Sequence, residues 1–87
     1  MTYRIQVTPQ ALKQIAKLDR PARLRIERFL TEGLDRENPR SSGRPLVESP
    51  FWRYRVGDYR ILATIEDDVL LVLVVGAEHR RSVYRHL

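Results

Sequence analysis

Polar and apolar residues alternate along Tyr3-Arg4-Ile5-Gln6-Val7, the two-residue period of a half-buried strand. Thr8-Pro9 then reads as a helix start, with threonine as N-cap and proline in the first turn. Leu12, Ile15 and Ala16 recur at helical spacing, with Lys13, Gln14 and Lys17 facing outward. Asp19 restarts the pattern as a second N-cap followed by Pro21, and Ala22, Ile26, Phe29, Leu30 and Gly33 form the apolar stripe of a second helix. Leu24 falls off that stripe. Asp35 to Pro50 keeps neither period and carries Pro39, Ser41, Ser42, Gly43, Pro45 and Pro50, so a long irregular connection is expected, of the kind that is commonly functional in a small domain.

Two β-type runs follow, joined by Gly57-Asp58, which reads as a two-residue hairpin turn. A turn of that length sets Val56 against Tyr59, Arg55 against Arg60, Tyr54 against Ile61 and Arg53 against Leu62. Alternation then gathers Arg53, Arg55 and Arg60 on one face of the sheet, and Trp52, Tyr54, Val56, Tyr59 and Ile61 on the other. Glu66-Asp67-Asp68 reads as an acidic, solvated turn. Val69 to Val75 is apolar throughout, the mark of a central strand covered on both faces. A polar tail from Glu78 to Leu87 closes the chain. The order strand, helix, helix, strand, strand, strand, short tail or helix predicts one α+β domain over residues 1–87. Its small four-stranded sheet is antiparallel with a mixed edge, and two helices pack on one face, against the aromatic side of the hairpin. The arginine side is left open.

Composition narrows the chemistry. With 87 residues and 43% hydrophobic content, a single core must hold the fold. The apolar run at Val69–Val75 is far short of the roughly 20 residues that span a bilayer, and the N-terminus has no apolar signal region, so a cytoplasmic protein is expected. There is no cysteine and there are only two histidines, which leaves no thiolate chemistry and no Cys/His set for a metal; no cofactor is expected. The net charge is +5, and all but Lys13 and Lys17 of the 16 basic residues are arginine, a balance that favours nucleic acid as a partner. Arg55 facing Arg60 sharpens this, because like charges opposed across a ladder are destabilising. Fixed guanidinium groups suit a polyanion, and phosphate most of all.

Several segments resemble the RelE-type toxins of bacterial toxin–antitoxin modules. Trp52-Arg53-Tyr54-Arg55-Val56-Gly57-Asp58-Tyr59-Arg60-Ile61 is similar to their central hairpin. His79-Arg80-Arg81-Ser82-Val83-Tyr84-Arg85 resembles their C-terminal basic-plus-tyrosine motif, and Asn38-Pro39-Arg40 with Gly43-Arg44-Pro45-Leu46 resembles their loop between helix and sheet. The resemblance implies an endoribonuclease that enters the ribosomal A site and cleaves mRNA without metal, the ribose 2′-hydroxyl attacking its own phosphate. It implies a RelB-like antitoxin as protein partner, the ribosome and mRNA as targets, no membrane, and operator DNA only for the toxin–antitoxin complex. By the same resemblance Arg53, Arg55, Arg60, His79, Arg80 and Tyr84 are the catalytic candidates, and Arg44, Arg81 and Arg85 the further RNA contacts.

Arginine, a permanent cation, serves as a phosphate clamp rather than a base. Several members of the family have lysine where this chain has Arg53 and Arg55. His79, whose type titrates near neutrality, and Tyr84, a phenol able to donate a proton or stack on a base, are the expected acid–base or stacking groups. Glu48, just before the hairpin, is a further carboxylate candidate. Two other functions fit the same elements: a ParE-like poison of DNA gyrase, which keeps the fold and binds a topoisomerase, and a non-catalytic module that binds RNA or the ribosome.

Overall fold

Five strands form one sheet in the order β1-β5-β4-β3-β2. The computed structural model describes residues 1–79, so Arg80, Arg81, Tyr84, Arg85 and the tail lie outside the described residues. The strands are β1 (Arg4–Val7), β2 (Arg44–Pro45), β3 (Trp52–Val56), β4 (Tyr59–Glu66) and β5 (Leu71–His79), and the helices α1 (Pro9–Ala16) and α2 (Arg20–Arg28), the latter running into a π-helical turn at Phe29–Gly33. β1 runs parallel to β5 and every other pair is antiparallel. The α+β class, the element order and the mixed edge are as expected. The sheet has five strands rather than four, because Arg44 and Pro45 pair with Arg53 and Trp52 inside the segment read as irregular.

Both helices start where the sequence marks them. Thr8 stays extended and its hydroxyl oxygen accepts from the Ala11 amide at 3.2 Å, satisfying one of the donors every helix start leaves over. Asp19 takes the same backbone position before α2, without a side-chain capping bond. The buried stripe of α1 differs from expectation. Ala11 and Ile15 face the core, and Leu12 is 55% exposed. The small Ala11 side chain lets α1 lie close to β5, where Gln14 accepts the Ala77 amide at 2.8 Å. That bond satisfies the β5 edge beyond the end of β1. At the end of α2, the Thr31 hydroxyl donates to the Glu27 and Arg28 carbonyls. Such back-bonding competes with the ordinary helical ladder, and the turn widens so that the Leu34 amide reaches Phe29 oxygen at 2.8 Å.

The core lies between these helices and one sheet face. Ala11, Ile15, Ile26, Leu30 and Leu34 pack on Tyr54, Ile61, Ala63, Val72, Val74 and Ala77. β5 is central, as its apolar run predicts, but residues 1–79 cover only one of its faces, and Leu71, Leu73 and Val75 remain half-buried on the other.

The ladder between β4 and β5 contains a bulge. Ala63 pairs with Val74 and Leu62 with Gly76, so Val75 has no opposite number. One extra residue reverses the alternation along β5. Val72 and Val74 face the helices, and beyond the bulge so do Ala77 and His79, opposite Ile61 and Tyr59. Glu78, opposite Arg60, is thereby turned to the other face.

Candidate phosphate-binding face

Gly57 adopts φ +58° and Asp58 does not share the positive sign, the pattern of a II′ turn, whose twist suits a two-residue hairpin. The register is the one its length predicts: Val56–Tyr59, Arg55–Arg60, Tyr54–Ile61 and Arg53–Leu62. Tyr54 and Ile61 are buried beneath the helices, so Arg53, Arg55 and Arg60 share the opposite face. Arg44, on β2, pairs with Arg53. All four arginines line one groove of about 400 Å³, together with Phe29, Ser42, Gly43 and Tyr54. Two ion pairs are found among the described residues, Met1 amine with Glu37 and Arg40 with Asp67. Neither engages an arginine of the groove, and those guanidiniums stand ready for an external anion.

The loop that carries Arg44 is pinned from several sides. Tyr54 donates its hydroxyl to the Pro39 carbonyl at 2.6 Å, and Trp52 donates its indole N–H to the Ser42 carbonyl at 2.8 Å. Arg40 grips Asp67 with both guanidinium nitrogens at 2.8 and 3.1 Å and lies 6.0 Å from the Trp52 ring centre. The Arg40 bonds, and then the Tyr3 hydroxyl at 2.6 Å, hold the Asp67 carboxyl below its ordinary range. The acidic turn read as merely solvated is thus an anchor for the loop.

Gly43 has φ +79°, and a Cβ there would collide with the Arg53 carbonyl oxygen and meet the Trp52 indole nitrogen at 2.6 Å. Backbone cannot yield as a side chain does. Gly43→Ala is expected to lift Ser42–Arg44 off β3 and to cost about 1–3 kcal/mol of stability. Trp52 is the one tryptophan, so a red shift of its fluorescence together with a lowered melting temperature checks this; unchanged emission would contradict it.

Arg53, Arg55 and Arg60 share one face as the hairpin register predicts, and Arg44 lines the same groove. His79 does not join them. Its ring sits edge-on to Tyr59, 5.0 Å between centres, on the helix-covered side of the hairpin beside Asp19, Arg25 and Asp58. The bulge at Val75 is the reason. Glu48 does not join them either: it is exposed, at φ +58°, and is absent from the groove lining. Arg80, Arg81, Tyr84 and Arg85 fall outside the described residues. Sequence reasoning missed Glu78, beside Arg60 on the arginine face, because only the β4–β5 pairing reveals it.

Residues 5–84 match the family described as the ParE toxin of type II toxin–antitoxin systems, parDE. This chain belongs to the RelE/ParE superfamily of toxins. It is 30% identical to Toxin RelG of Mycobacterium tuberculosis, over 98% of this chain and 99% of that protein. Its fold is similar to the RelBE2 toxin–antitoxin complex of the same species, with TM-score 0.83 and 26% identity, covering 92% of this chain and 100% of that one. The E. coli toxin RelE, as a mutant in the free state, has the same fold at TM-score 0.75 and 22% identity, both chains covered in full.

Proposed function

We propose that this toxin is a ribosome-dependent mRNA endonuclease that acts in the cytoplasm and is neutralised by a RelB-like antitoxin. The observation that carries the reading is the set of guanidiniums on the face away from the helices, three of them presented by one rigid hairpin. Opposed arginines cost stability, and a scissile phosphate repays that cost by drawing charge-assisted, forked hydrogen bonds from them. In the reaction the 2′-oxygen attacks the adjacent phosphorus, the bond to the 5′-oxygen breaks, and a 2′,3′-cyclic phosphate and a 5′-hydroxyl result. Arg53, Arg55 and Arg60 hold the phosphate and offset the charge that builds on its oxygens, while Arg44 positions the strand beside them. Toxin–antitoxin complexes among the similar structures support the protein partner.

Induced expression followed by mapping of mRNA 5′ ends tests this. Cuts within translated codons are expected. A second reading, poisoning of DNA gyrase, draws on the match to the ParE family; it requires cleaved or supercoil-altered DNA with intact message. Intact DNA and intact message together would leave a bare binder. Binding of single-stranded RNA is also expected to weaken with salt, with a log–log slope of about −0.7 for each phosphate gripped. A salt-insensitive association would count against the clamp.

A further inference from the structure

Arg55 on β3 stands opposite Arg60 on β4, and Arg60 stands opposite Glu78 on β5. The three form one row across the central strands, on the face away from the helices. Directly opposed side chains in such a ladder have their Cβ atoms about 4.5–5.5 Å apart, so a glutamate here reaches the space in front of Arg60. The geometry points to Glu78 as the general base that takes the 2′-hydroxyl proton, an inference that rests on the nuclease reading.

Among the described residues, the other groups near the row are unsuited to that work. Arginine carries donors and no acceptor. His79 faces the helices with Tyr59, Glu48 lies in the loop before β3 and stands opposite none of the three across a ladder, and Glu66 lies at the far end of β4 opposite Leu71. An ionised carboxylate offers only acceptor oxygens, and one of them can take a proton. A surface built only to bind RNA gains nothing from an anion among its cations, since that anion repels phosphate. A structural counter-ion would close a pair with Arg60, and among the described residues no such pair forms. Glu78 is instead half-buried beside the cation that holds the phosphate. The proton moves from the 2′-oxygen to the Glu78 carboxylate, the O2′–P bond forms, the P–O5′ bond breaks, and the leaving oxygen takes a proton from water.

Single-turnover cleavage of mRNA on programmed ribosomes tests the assignment. Glu78→Gln keeps the size and removes the base. It is expected to slow cleavage by about 100-fold or more, within the usual range for a lost general base. Binding to the programmed ribosome should stay equal or tighten. Glu78→Asp should retain part of the rate, with the loss in kcat and not in KM; it reads the same question should the glutamine variant melt early. Cleavage by either variant at the wild-type rate, or a loss that arises entirely from weaker binding, overturns the role of Glu78. Failure of the wild-type toxin to cut at all is a different result. It overturns the nuclease reading, and the base falls with it.

Discussion

Arg60→Ala is expected to let cells survive full induction of the toxin and to lower single-turnover mRNA cleavage by about 100- to 1000-fold, the usual cost of removing one preorganised donor to a developing charge. Arg60 is the middle of the row, flanked by Arg55 and Glu78, so among the described residues no neighbour replaces it at the same place. The fold should not suffer. The side chain belongs to the uncovered face and takes no part in the core, and its loss relieves the repulsion from Arg55 while removing the neighbour of Glu78. Surface changes of this kind stay within about 0.5 kcal/mol of wild type. Arg55→Lys is the companion: it keeps the charge and loses the bidentate fork, and a smaller fall in rate is expected. Full toxicity in a folded Arg60→Ala protein would remove the clamp from the mechanism.

Tyr54→Ala is expected to have the largest effect on stability. Tyr54 is 1% exposed and is the largest of the fully buried side chains. Its ring packs on Phe29 at 5.3 Å between centres, and its hydroxyl holds the Pro39 carbonyl, so one residue joins β3, the π-helical turn and the loop. Emptying such a site costs about 3–5 kcal/mol. At about 4–8 °C per kcal/mol for a domain of this size, the melting temperature should drop by roughly 15–30 °C. Tyr54→Phe isolates the hydroxyl and should cost about 1–3 kcal/mol, because the Pro39 carbonyl loses its partner.

The same pair of proteins has a signature in pH. Burial pushes the Tyr54 phenol up to about 12 from an ordinary 10.0. A folded-state value raised above the unfolded one means stability fully present below pH 10 and lost as pH rises through about 12. The urea midpoint of the wild type should therefore fall across that window, and its lead over Tyr54→Phe should shrink. Parallel curves would show that the phenol is not buried as described.

The hairpin was the most legible part of the chain, for a physical reason. A two-residue turn fixes register by itself, so Gly57-Asp58 sufficed to put Arg53, Arg55 and Arg60 on one face. Helix starts were legible too, since Thr8 and Asp19 mark them locally. What escaped depended on partners distant in sequence. The choice of Ala11 over Leu12 for the core follows from how closely α1 approaches β5. The strand at Arg44–Pro45 is short and half of it lacks an amide donor, so no propensity announces it. The need for glycine at position 43 comes from the Arg53 carbonyl and the Trp52 indole. The place of Glu78 depends on a mismatch between two strands that neither strand carries alone.

That mismatch has a further consequence. Were the ladder between β4 and β5 ironed flat, Ala77 would slide opposite Arg60, Glu78 would tuck under the helices against Tyr59, and His79 would emerge on the arginine side. A single notch of sliding would exchange an acid for an imidazole on the arginine side, with no codon changed. The unmatched Val75 thus acts as a parity lock. It decides which of two adjacent side chains faces the arginine side and which lies under the helices, and the cost of hiding a carboxylate favours the arrangement found.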